Sequence, residues 1–138
     1  MSKRSQILEE IKTTLSNVSL LKSVEIERLD AINLTKQPLP CAFVYSGNDR
    51  RIDAGDNAVI GFENWDWDIF IEVWAKNQDL EPIVEEIHKK MYDNYKLNGL
   101  AEYSARYGSE TFVVDPTRAV KGILLKYKVI FRHPLGRP

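Results

Sequence analysis

A single cysteine, Cys41, rules out an intramolecular disulfide and fits a reducing compartment. Charge of neither sign dominates. The 19 basic side chains are offset by 20 acidic ones, net −1, whereas a dedicated nucleic-acid binder carries a clear basic surplus. The two histidines, His88 and His133, stand alone and do not build a metal site. Glycines 47, 55 and 61 are scattered and precede no helix, so no phosphate loop is present. Long apolar runs are missing too. The opening "MSKRSQILEEIKTTL" is broken by Glu9, Glu10 and Lys12 and reads as neither a signal peptide nor a membrane span. Internal repeats and low-complexity tracts are absent. What remains is 138 residues, 43% hydrophobic and 28% charged, the composition of a cytoplasmic globular chain. The length suits one domain over residues 1–138 with one core.

Hydrophobic spacing predicts a first helix over 5–18, with Ile7, Leu8, Ile11, Leu15 and Val18 on one side. Ser5 is its N-cap, and Glu9 and Glu10 lie toward its positive end. "VEIERL" (24–29) alternates like a strand, and the two prolines of "NLTKQPLP" make a loop. "CAFVYS" (41–46) reads as a buried strand. The polar "GNDRRIDAGDNAVIG" (47–61) has no apolar face and is expected to be a mobile loop, either functional or a tolerated insertion.

"NWDWDIFIEVWAK" (64–76) is a long strand. Trp65, Trp67, Ile69, Ile71 and Val73 share one face, and Asp66, Asp68, Phe70, Glu72 and Trp74 share the other. A second helix runs over 79–95, capped by Asp79, with Pro82 in its first turn. Its buried stripe is Leu80, Ile83, Val84, Ile87, Met91 and Tyr95, and Glu85–Lys89 and Glu86–Lys90 pair on its wet side. After Gly99, strands are expected with breaks at Gly108-Ser109 and at 115–118. The last strand, 119–133, sets Ile123, Leu125, Tyr127, Val129 and Phe131 against Lys126, Lys128 and Arg132. The order α-β-β-β-α-β-β gives an α+β fold: a single, mostly antiparallel sheet with two main helices on one face.

Three readings compete for Asp66, Asp68 and Glu72. The first makes them Mg²⁺ ligands, but the acidic-x-Lys partner of a metal-dependent nuclease is missing beside Glu72. The second makes them a solvated strand face. The third reading fits better: they complement Lys126, Lys128 and Arg132, fixing strand register or a subunit contact, with Phe70 and Trp74 as apolar area that calls for cover. No catalytic, cofactor-binding or metal residue is assigned. Cys41 reads as a core residue, His88 as exposed, and Arg50 and Arg51 as loop charges available to a partner.

The layout, carried by "LPCAFVYSG", "NDRRIDAGDNAVIG", "WDIFIEVWAKNQDLEPIVEEIHKKM" and "GILLKYKVIFRHP", resembles the tail terminator (tail completion) proteins of long-tailed phages, the minor tail protein U group. Head-tail joining proteins of similar size share it. The resemblance implies a non-enzymatic subunit of a hexameric ring that caps the tail tube and meets the head-completion protein. DNA would pass through the lumen without specific binding, and the protein would be part of a virion or prophage particle in a bacterial host. Asp66, Asp68 and Glu72 would then face the lumen or a neighbouring subunit, and the 47–61 loop would contact the tail tube protein. The alternative is a stand-alone α+β binding module or small enzyme.

Overall fold

The computed structural model describes residues 2–26, 38–52, 62–115 and 120–134. Its elements are α1 (Lys3–Ser16), β1 (Ser23–Ile26), β2 (Cys41–Arg51), β3 (Phe62–Lys76), α2 (Glu81–Asp93), β4 (Tyr103–Asp115) and β5 (Val120–Pro134). The five strands form one mixed sheet in the order β1-β2-β3-β5-β4. Only the β1–β2 pair is parallel; every other pair is antiparallel. This is the expected α+β fold in the expected element order.

Both helices pack on one face of the sheet because both carry an apolar stripe at helical spacing. Ile7, Ile11 and Leu15 of α1 and Ile83, Ile87 and Met91 of α2 meet one buried cluster. The strands supply Val44, Trp67, Ile69, Ile71, Leu125, Val129 and Phe131 to it. Polar links hold the two helices together. Asn94 Nδ2 donates to Glu10 Oε1 and to Thr14 Oγ1, each at 3.0 Å, and the Ser19 amide donates to Glu86 at 2.8 Å. Glu86 therefore ties down the chain after α1, where a Glu86–Lys90 pair was expected.

The helix ends differ from the sequence reading. α1 begins earlier: Ser2 is its N-cap and accepts from the Ser5 amide at 3.2 Å, so Ser5 is the donor and not the cap. The shift moves Glu9 and Glu10 out of the first turn, which holds no acid. At α2 the cap position falls on Leu80, yet Asp79 still accepts the Glu81 amide at 3.1 Å, with Pro82 in the first turn as expected. Tyr95 lies past the helix end and is exposed.

The sheet is also more continuous than the sequence suggests. Residues 47–51, expected to open a mobile loop, continue β2 opposite β3 after an irregularity between Ser46 and Asp49. Residues 53–61 of that loop lie outside the described residues, as do 27–29 of the first predicted strand. Gly108-Ser109 does not break β4. The chain absorbs Tyr107 in a bulge between Arg106 and Gly108 and pairing resumes. At the β2 irregularity, a Cβ added to Gly47 would fall 2.5 Å from Phe70 Cε2 and 3.2 Å from Asp68 Cβ. The glycine thus lets the Phe70 ring lie against backbone. Gly47→Ala is expected to push the ring outward and cost about 1–3 kcal/mol, measured by chemical denaturation. An unchanged midpoint would show that the ring is not held there.

Candidate functional site

The candidate site is the sheet face turned away from the helices. Along β3 it carries Asp66, Asp68, Phe70, Glu72 and Trp74, and the β5 register brings Lys128 opposite Asp68 and Lys126 opposite Phe70. Among the described residues no helix covers it, yet its two ends differ sharply.

One end is closed. Trp74 is 1% exposed and packs with Cys41 and Phe43, edged by Leu39 and Val120. Glu72 is buried beside it and doubly hydrogen-bonded: Trp74 Nε1 donates to Oε1 at 2.7 Å and the Tyr45 hydroxyl to Oε2 at 3.0 Å. These two donors replace the lost water, which lets a carboxylate sit in a small apolar cluster. Glu72, which the resemblance turned toward a lumen or a neighbour, and Trp74, expected to need cover, are both absorbed by this second cluster within the subunit. Burial, aided by the charge of Glu72, pushes the Cys41 thiol up to about 12. Cys41 is a core residue, as its sequence context suggested.

The other end is open and charged. Asp66, 7% exposed, accepts through Oδ2 from Arg50 at 3.3 Å and Lys128 at 3.5 Å. Asp68 holds the Tyr107 hydroxyl, and Lys128 Nζ stands 5.4 Å over the Tyr107 ring. Burial first, then Asp68, raises the Tyr107 hydroxyl above its ordinary value, so it remains protonated and donating. These groups, with Asn48 and Asp49, line a polar cleft of about 280 Å³. Asp49 is joined by Arg4, whose guanidinium also lies 5.2 Å from the centre of the Trp65 ring. Between the two ends Tyr45 and Phe70 meet with ring centres 5.6 Å apart.

Of the expected pairings between the acids of β3 and the bases of β5, Lys128–Asp66 forms. Lys126 instead holds Glu110 of β4 at 2.6 Å. Arg132 donates to Asn64 at 3.0 Å and lies 3.9 Å from Glu102. Arg50 lies in β2 rather than in a loop and joins the cleft, while Arg51 pairs opposite Trp65. Sequence reasoning missed Tyr107 and Glu110 because the predicted break at Gly108 took them out of the sheet. It also placed His88 in solvent. His88 is half-buried, its Nδ1 hydrogen-bonded to the Tyr127 hydroxyl, and burial with the nearby charge of Arg106 lowers its pKa to about 4. The available signal was Tyr127 itself, since a tyrosine on a buried strand face needs a polar partner.

Chemically, this face offers compensated charge and aromatic surface. Among the described residues no group of three or more His, Cys, Asp or Glu could hold a metal ion. No helix among them is long and apolar enough to cross a membrane. No family model and no curated protein matches the chain. Among solved structures it is similar to a chain of the virion of a native gene transfer agent particle, with 10% identity, 94% of each chain covered and a TM-score of 0.47. At that distance the likeness fixes no role for any residue.

Proposed function

We propose that this protein is a structural, non-enzymatic subunit that assembles with copies of itself into a ring, a phage or prophage tail terminator that caps the tail tube and joins it to the head. One observation carries the assembly reading. Among the described residues, helices cover one face of the sheet only, and the open face mixes aromatic side chains with charges of both signs, the composition of a contact surface. The tail assignment comes from the element layout and the four quoted segments.

With Glu72 and Trp74 withdrawn into the subunit, the contact narrows to Asp68, Phe70, Tyr107, Lys126 and Lys128, with Arg50 at the cleft. Ring closure needs a heterologous contact, and the open face supplies one side of it. In this reading the ring is a hexamer. Its partners are the tail tube protein and a head-completion protein, and DNA passes through the lumen without being held.

Sedimentation over rising protein concentration, with and without Mg²⁺ and with negative-stain imaging, tests the proposal. Wild type is expected to convert to rings, and Lys126→Glu/Lys128→Glu to remain monomeric. The Lys126–Glu110 pair is solvent-accessible and costs only about 0–1 kcal/mol to lose; Lys128 faces buried Asp66, so circular dichroism first establishes that the double variant is folded. A wild type that is monomeric at every concentration, even with tail tube added, refutes the ring. Rings formed equally by the double variant keep the ring and refute the charged contact.

A further inference from the structure

Among the described residues, three of the six exposed large hydrophobic side chains gather at one place: Tyr92, Tyr95 and Tyr103. They rim a groove of about 550 Å³ between the end of α2 and the start of β4, on the helix side of the sheet and away from the open face. Met91 and the His88–Tyr127 pair form its floor. Ser104 Oγ donates to the Tyr95 carbonyl at 3.0 Å, fixing the wall where α2 passes into β4. β4 is the outermost strand, so its outer backbone groups have no strand partner among the described residues. A bare edge of this kind is a template for an added strand.

The groove is one-sided in charge. None of its lining residues is acidic, and Arg106, exposed at its edge, has no carboxylate against it among the described residues. The bulge at Tyr107 ends the flat part of the edge after Arg106, and a second irregularity follows between Val113 and Asp115. Only a short segment can therefore pair in register, which disfavours a long edge-to-edge contact with another copy of β4.

We propose that this groove captures a short, extended, acidic peptide segment of a partner protein. The segment's backbone adds to the Tyr103–Arg106 edge, an apolar or aromatic side chain enters among Tyr92, Tyr95 and Met91, and a carboxylate meets the Arg106 guanidinium. Strand addition supplies affinity through main-chain hydrogen bonds, and the pocket and the arginine supply selectivity. The inference does not depend on the ring.

Panning a displayed library of random peptides of about a dozen residues on the full chain tests it. Selected peptides are expected to carry a carboxylate near an aromatic or β-branched residue. They should shift the backbone amide resonances of Tyr103–Arg106. Arg106→Glu should weaken a labelled selected peptide about tenfold or more, the loss expected for a charge-assisted hydrogen bond. Tyr92→Ala, at a site 78% exposed and therefore without a part in the core, should weaken it several-fold. Leu20→Ala, exposed and not among the residues lining the groove, should leave binding unchanged. Selection of basic peptides, equal selection by the Arg106→Glu protein, or resonance shifts confined to the open face would each overturn the proposal. So would self-association abolished by Arg106→Glu, which would assign the groove to a second copy.

Discussion

Trp74→Ala is expected to lower the free energy of unfolding by about 3–5 kcal/mol, the usual cost of removing a fully buried aromatic side chain. Two effects add at this position. The indole fills the second cluster with Cys41 and Phe43, and its Nε1 supplies the 2.7 Å hydrogen bond that keeps Glu72 satisfied. Without it, Glu72 loses one of its hydrogen-bond donors, and a buried carboxylate short of a donor is costly. Trp74→Phe separates the terms. It retains most of the volume and removes the donor, so a loss of about 1.5–3 kcal/mol is expected. Urea denaturation of both variants gives the comparison. If Trp74→Ala costs less than about 1 kcal/mol, the residue is not a core element, and its place on a contact surface would have to be reconsidered.

Acidification should destabilise the protein through His88. Its folded pKa is lowered from 6.5 to about 4, by burial first and then by Arg106. Between those values the unfolded chain binds a proton that the native chain does not, so stability falls as the pH falls from 6.5 toward 4 and is fully retained above 6.5. The ring faces Tyr127 from β5 and Arg106 from β4, and neither offers a carboxylate to stabilise the imidazolium. With solvent screening of a half-buried ring allowed for, the effect is about 1–2 kcal/mol. Carboxylates titrate over the same range, so the difference between wild type and His88→Gln is the quantity to measure. Glutamine can still accept from Tyr127 and does not titrate. Thermal unfolding from pH 7 to pH 4 should show a steeper fall for wild type. Parallel curves would mean that His88 is solvated in the native state.

Strand periodicity was legible wherever one face is dry. The odd positions of β3 from Trp65 to Val73, and those of β5 from Ile123 to Phe131, read as an apolar face and form one. The helical stripes of α1 and α2 were equally plain, since burial of one side of a helix needs little beyond spacing. The even positions of β3 were harder. Asp66, Asp68, Phe70, Glu72 and Trp74 look alike as a wet face, yet Glu72 and Trp74 are buried while Asp68 and Phe70 are partly open. The difference comes from residues distant in sequence, namely Cys41, Phe43 and Tyr45 on the neighbouring strand.

The amino-acid sequence by itself determined the element order, the helix-covered face and the balance of charge, because each follows from local spacing and composition. Tertiary structure alone decided which charges meet. Register places Asp68 across from Lys128, but side-chain reach gives Lys128 to Asp66 and Lys126 to Glu110. It also decided that the chain could pass Gly47 and Gly108 without leaving the sheet, because pairing to β3 and β5 outweighs the turn preference of an isolated glycine. The groove beside Arg106 arises the same way: the end of α2 and the edge of β4 share no sequence pattern, and only the packed sheet brings them together.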